Sequence, residues 1–449
     1  MKPVVLLGGW VVASGSDPIS RSNVAAHADW GLAVDRGQII AITSNESLME
    51  AYPGGKHLDC RHLALCPGFI NAHMHSYGLL AHGIPAASAE PGFDGFLDSF
   101  WWPKVENLLD EPMILAACEL ACLVMIRSGF TSFCDVLEAP FAPAGVLSRE
   151  AAVVNRAGLR AVLSIEASER AGAALGEELL AENERFILES SADSLVCGMQ
   201  CIHTSFTCSE SFVRLAKASA LRTHAALHLH LSESEYEPAF SLARNGVRPV
   251  HWYDRLELWS PSILASQLVA VDDSELDVLA RHGVQTAHMP LSNCEVGGGI
   301  SPVPGMLERG LTPGLGTDGY INDPFEVMRA AFLIHKGALR DATVIPAEIA
   351  WKMATSWGAA AIGMPEMGAL RVGAPADVIG VTAVGDTPLT EGNVLEQILL
   401  YRNAADVRLS MVGGKILMRE GAVQTLDSEA VRARAAAEAL RLWNKGGAV

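Results

Sequence analysis

Positive charge is scarce in this 449-residue sequence: 33 Lys and Arg stand against 51 Asp and Glu, a formal net charge of −18. No run of Lys or Arg occurs, and binding to a phosphate backbone needs clustered cations, so nucleic acid is excluded as a partner. No apolar run is long enough to span a membrane as a helix. A CxxC pair is missing too, and the nine cysteines, an odd number, read as reduced, mostly buried thiols of a cytoplasmic protein. There is no internal repeat, no low-complexity linker, and no Gly-rich phosphate loop after an apolar run. The start, MKPVVLLGGWVVASG, superficially resembles a secretory signal, but Gly8 and Gly9 break the helix a signal requires. The stretch reads as two short strands around a Gly turn.

What is present is material for a large core. Half of the residues are hydrophobic and 19% are charged, which excludes a disordered chain and suits one large barrel with a modest second domain. The first sixty or so residues are short β-like pieces with no convincing helix, among them WGLAVDRGQIIAIT with its Arg36-Gly37 turn.

From residue 66 eight apolar runs alternate with helical stretches: LALCPGFINAHMH, GFTSFCDV, GLRAVLSIEA, VCGMQCIHTSF, HAALHLHLSE, SILASQLVAV, GVQTAHMPLSN and LTPGLGTDG. Parallel strands buried on both faces read in this continuous way, so the alternation predicts an α/β fold built as a closed parallel barrel. Strand and turn chemistry returns in GAPADVIGV and RLSMVGGKILMREGAVQT, where Gly413-Gly414 predicts a hairpin. A final helix starts at Asp427 or Ser428. The predicted division is 1–65 and 370–449 for a small β domain made from both ends, and 66–369 for the barrel.

Catalytic groups in such barrels sit at the carboxyl ends of the strands. His73 and His75, two apart, share one face of the first strand. Later runs end in His203, in His228, His230 and Glu233, in His288, and in Asp318, while nothing comparable ends the second or third run. Burying so many ionisable groups at one end is costly unless they pair or bind a metal, so the pattern predicts a metal site.

The segments PGFINAHMHSYG, HLHLSESE, AHMPLSN, GGGISPVPGMLERGLTPGLGTDG and GAPADVIGV resemble the amidohydrolase superfamily, in particular its cytosine, guanine and S-adenosylhomocysteine deaminase and triazine chlorohydrolase branch. The resemblance implies a distorted (β/α)8 TIM barrel with a β-sandwich formed from both termini. It implies one divalent metal per subunit, zinc first and iron second, held by His73, His75, His230 and Asp318, and a homodimer or larger assembly. Asp318 would take a proton from the metal-activated water, and Glu233 would pass one to the ring nitrogen beside the attacked carbon. His228 is then a supporting or structural residue, and His203, His288 and Asn293 are candidate substrate contacts, as is Trp102 in the aromatic insertion of residues 76–112. Glu106 in that insertion is a weaker candidate because no specific motif surrounds it.

One position departs from the family pattern. The sixth run ends ASQ where these deaminases carry a histidine, so Gln267 takes its place. Glutamine orients a water but cannot take up a proton. The expected function is therefore metal-dependent deamination of a small nitrogen heterocycle. Displacement of chloride, alkylamine or a sulfur substituent is the alternative, followed by amide or urea hydrolysis and by a non-catalytic metal-binding barrel.

Overall fold

The computed structural model describes residues 2–14, 24–86, 90–190 and 194–447. Its first strands are β1 (Val4–Ser14), β2 (Val24–Ala28), β3 (Trp30–Asp35), β4 (Gln38–Ser44) and β5 (Lys56–Pro67). The β3–β4 hairpin turns at Arg36 and Gly37, whose φ values of 47° and 82° suit a two-residue turn that matches strand twist. Gly8-Gly9 is not a turn: β1 runs through it as one strand, irregular only between Gly8 and Trp10. Glycine is needed there because a Cβ on Gly9 would stand 2.2 Å from the Arg61 carbonyl oxygen of the neighbouring β5. The expectation of no early helix also fails, since Asn45–Ala51 is helical. Ser44 caps it by accepting from the Ser47 amide, and Leu48 is its buried anchor.

Each of the eight runs supplies a parallel strand. β6 (Phe69–Met74), β7 (Phe130–Leu137), β8 (Arg160–Ile165) and β9 (Val196–Gly198) form one sheet in that order. β10 (Gln200–Ile202), β11 (Leu227–Leu231), β12 (Ile263–Gln267), β13 (Gln285–His288) and β14 (Gly314–Leu315) form another. The fourth run is split between β9 and β10 around Met199. Parallel bridges Ala167↔Ile202 and Met74↔Asp318 link the two sheets. Every residue of β6, β7 and β11 is buried, as expected of strands covered on both faces.

The helical stretches also form, with caps that explain their limits. Glu111–Ser128 starts at Asp110, which accepts from the Met113 amide, and stops at left-handed Gly129. Asp273–His282 begins with a capping box between Asp272 and Glu275 and stops at Gly283.

The chain then returns to the first sheet through β15 (Val378–Thr382), β16 (Val407–Val412), β17 (Lys415–Arg419) and β18 (Ala422–Val423). The nine-stranded mixed sheet has the order β18-β17-β16-β15-β5-β1-β3-β4, with β2 on β1. β5 is its hinge between the two ends of the sequence, parallel to β1 on one side and antiparallel to β15 on the other. The last helix, Ser428–Lys445, capped by Asp427, lies against Glu111–Ser128 through Arg434–Glu119 and the contacts of Arg441 and Lys445 with Asp110. No helix among the described residues is long and apolar enough to cross a membrane.

Candidate metal centre and active site

Strand alternation carries His73 and His75 to one face of the first parallel strand, and His228 and His230 to one face of the fifth. The His73 ring centre lies 4.8 Å from that of His75 and 4.9 Å from that of His230. One nitrogen from each of His73, His75 and His230 falls within a 4.8 Å span, a grouping able to hold a metal ion. His75 Nδ1 donates to the Val136 carbonyl at 2.8 Å, which turns Nε2 toward the centre. Neither ring nitrogen of His73 has a hydrogen-bond partner, although the residue is fully buried. An unpartnered buried imidazole is costly, and a cation would relieve that cost.

Asp318 approaches the same centre from after the eighth strand. Its Oδ1 is 3.1 Å from His75 Nε2 and 3.9 Å from His73 Nε2. Its orientation is over-determined: Oδ2 accepts from Gln267 Nε2 at 2.7 Å and Ser292 Oγ at 3.0 Å, and Oδ1 accepts from the Gly319 amide at 2.9 Å. Burial opposes its charge, but the neighbouring His75, His73 and His230 outweigh that and hold the carboxyl far below its usual range. Burial pushes His73, His228 and His230 down, toward the neutral imidazole that a ligand must be. For His75 burial acts the same way, but the Glu138 and Asp318 carboxylates outweigh it and raise the imidazole.

A cavity of about 450 Å³ opens above these groups. His75, His203, His230, Glu233 and Asp318 line it together with Tyr77, Phe93, Phe96, Phe100, Trp101 and Trp102 from the insertion after the first strand, of which residues 87–89 lie outside the described residues. Glu233 stands three residues beyond His230; burial first, then the Asp318 and Glu138 charges, raise its carboxyl well above the ordinary range. His203 Nδ1 is bonded to Thr207 Oγ1 at 2.9 Å, which leaves Nε2 for the cavity.

Not every expected residue reaches the cavity. His288 does not line it, and its Nε2 lies 3.3 Å from His335 Nε2. Asn293 is buried away from it, whereas its neighbour Ser292 faces in. Gln267 does not line it either and acts on Asp318 from behind, at a φ of 78°. His228 packs 3.9 Å from Cys134 Sγ, outside the grouped ligands.

The second and third runs do end in acids, which corrects the sequence expectation. Glu138 follows β7 and Glu166 follows β8, both buried. Glu138 Oε1 lies 3.7 Å from both His75 Nε2 and His230 Nε2, and its Oε2 accepts from Tyr77 Oη at 2.6 Å. Burial works against the Glu138 charge, but His75 and His230 outweigh it and hold the carboxyl low. Burial and the Glu138 charge push Glu166 the opposite way. Glu106 joins this wall, paired with Arg170, whose guanidinium lies over the Trp102 ring at 5.1 Å. The signal for Glu138 and Glu166 was present in DVLEAP and LSIEA, where an acid closes an apolar run.

Known proteins match most of the chain. The amidohydrolase family pattern matches residues 64–417. A 5-methylthioadenosine/S-adenosylhomocysteine deaminase from Pelotomaculum thermopropionicum is 30% identical over 93% of this chain and 95% of its own. A 5'-deoxyadenosine deaminase from Methanosarcina mazei is 34% identical over 85% of this chain and 88% of its own. Among solved structures, a zinc-bound adenosine deaminase from Xanthomonas campestris superposes with a TM-score of 0.88 at 24% identity, covering 98% of each chain. The atrazine chlorohydrolase TrzN from Arthrobacter aurescens, at 18% identity, gives 0.84 over 97% of this chain and 100% of its own, a likeness of fold. With a match of this extent, the chain belongs to the amidohydrolase family and is a hydrolase of carbon–nitrogen bonds.

Proposed function

We propose that the protein is an aminohydrolase that removes the exocyclic amino group of an adenosine-type heterocycle as ammonia. The observation that carries this reading is Glu233, a carboxyl in the cavity wall three residues beyond His230, whose pKa is raised by burial and by the Asp318 and Glu138 charges. The deaminase relatives at 30% and 34% identity support the choice of leaving group.

His73, His75, His230 and Asp318 fit a divalent cation, zinc first and iron second, because two imidazoles offer unbonded nitrogens and a carboxylate is locked beside them. That cation, when bound, supplies a Lewis acid and lowers the pKa of a water toward neutrality. Glu233, its pKa raised, is placed to donate a proton to the ring nitrogen next to the attacked carbon, which draws electrons away from that carbon. Asp318 is the proton acceptor, and Gln267 and Ser292 fix its oxygens without competing for the proton. Trp102 and its aromatic neighbours offer flat faces to the ring and exclude water. On the same reading the parallel strands close as a distorted (β/α)8 barrel, the mixed sheet is the flanking sandwich, and the nine free cysteines suit the cytoplasm.

The test is ammonia release from 5'-deoxyadenosine, 5'-methylthioadenosine and S-adenosylhomocysteine by metal-loaded protein, with chloride release from a chlorotriazine scored in parallel. Ammonia with an inosine-type product supports the proposal. Chloride alone, or no product from any adenosine derivative, overturns it.

A further inference from the structure

The end of the last helix, Ser428–Lys445, holds the cavity wall without reaching the cavity. Trp443 Nε1 donates to the Leu80 carbonyl at 2.7 Å, and Lys445 Nζ donates to the Leu108 carbonyl at 3.3 Å and to Asp110 at 2.8 Å. Gly446 lies so close to Lys104 that a Cβ there would stand 2.8 Å from the Lys104 carbonyl oxygen. Leu442 is buried in the core and anchors this last turn.

The two segments gripped in this way bracket the aromatic insertion. Leu80 belongs to the tight helical turn Ser76–Ala81 that follows His75, and Tyr77, Gly78 and Ala81 of that turn line the cavity. Lys104 and Leu108 stand at the other end, just after Phe100, Trp101 and Trp102. Inside the wall the two ends meet: Trp101 Nε1 donates to Tyr77 Oη at 3.4 Å, and Tyr77 Oη donates to Glu138 at 2.6 Å. Leu80 is buried, so loss of the Trp443 donor leaves its carbonyl unpaired away from water. His75 is secured separately, because its Nδ1 donates to the Val136 carbonyl and the next amide, of Ser76, donates to Asp135 Oδ1, each at 2.8 Å. A change at Leu80 therefore loosens the turn beyond these two bonds and leaves His75 in place.

We propose that Trp443 is a positioning residue for the aromatic wall of the cavity, acting through Leu80 on Tyr77 and Trp101, with Lys445 acting likewise through Leu108. The last helix thereby pre-organises the wall for a flat ring and sets affinity, while bond breaking proceeds without it. This goes beyond the deaminase reading and rests on it only for the identity of the substrate.

The experiment compares Trp443→Phe, which keeps an aromatic ring and removes the N–H, with the unaltered full-length, metal-loaded protein. Amide hydrogen exchange should quicken in 76–81 and 97–104 and stay unchanged in Val378–Thr382 of β15. With 5'-methylthioadenosine, KM should rise about three- to tenfold at unchanged kcat and metal content, as one lost hydrogen bond expressed in binding alone requires. Lys445→Met, at an exposed position where folding tolerates change, should quicken exchange in 104–110. Unchanged exchange in these segments, or an unchanged KM in Trp443→Phe, overturns the proposal. Loss of metal, or exchange that quickens throughout the chain, overturns it too, because either marks a merely structural role. Local quickening in a protein that turns over no adenosine derivative overturns the deaminase reading and leaves the positioning of the wall standing.

Discussion

Asp318 makes more contacts than a carboxylate needs for solubility: Gln267, Ser292 and the Gly319 amide all donate to it. Gln267 therefore acts as a clamp at the sixth strand rather than a weak copy of a histidine. Gln267→Leu should lower metal affinity about 10- to 100-fold, read by chelator competition, because a supporting contact to the proposed ligand Asp318 is lost. Glu233→Gln should cut kcat by about 10² to 10⁴ with metal content unchanged, since on the proposed reading a proton donor is removed but no ligand. Both positions stood out in sequence, Glu233 through the HxxE element of the family resemblance and Gln267 from the odd ending of its run. Glu138 and Glu166 were passed over although an acid closes each of those runs, because such an acid looks like any loop acid until the strands bring their ends together. His288 and Asn293 failed in the other direction: their motif marks the seventh strand end, but their side chains point to His335 and into the interior.

At the scale of elements, the helices Glu111–Ser128 and Ser428–Lys445 are tied at one residue. Asp110 caps the first by accepting from the Met113 amide and receives Arg441 and Lys445 from the second. The Arg441 contact chiefly holds its carboxyl below the usual range, and partial burial works the other way. A carboxyl lowered by folding stabilises the native state above its unfolded pKa of about 3.9, and the contribution is lost as pH falls through the folded value. Asp110→Ala should cost about 1 kcal/mol at neutral pH, mostly from the lost cap because the ion pairs are half-exposed, and the difference in urea midpoint should vanish in strong acid. Both helices were readable from caps and periodicity. The helix Asn45–Ala51 was not, being too short for periodicity to outweigh the surrounding strand pattern. β1 misled for a different reason: paired glycines mark a turn in most contexts, and only the approach of the Arg61 carbonyl explains them inside a strand.

For the whole molecule, the histidine-lined centre couples binding to stability. A ligand that binds only the native state adds about 4 kcal/mol at a thousandfold excess over its Kd, so zinc should raise Tm and chelator lower it, while His73→Asn should abolish the difference. The parallel runs and the return of β chemistry near residue 378 made the strands legible, and both ends were expected in one β domain, but the order of strands in their shared sheet was not, because sheet order leaves no local trace. That order has a practical consequence for shortened versions of the protein. β5 lies between β1 and β15, so a chain cut before Val378 loses more than its tail. It strips one side of β5 over Leu63–Pro67 and presents a bare row of backbone donors and acceptors to other copies. Such a fragment should stick to itself, whereas a circular permutant that keeps β15 seated and opens the chain at a surface turn should stay dispersed.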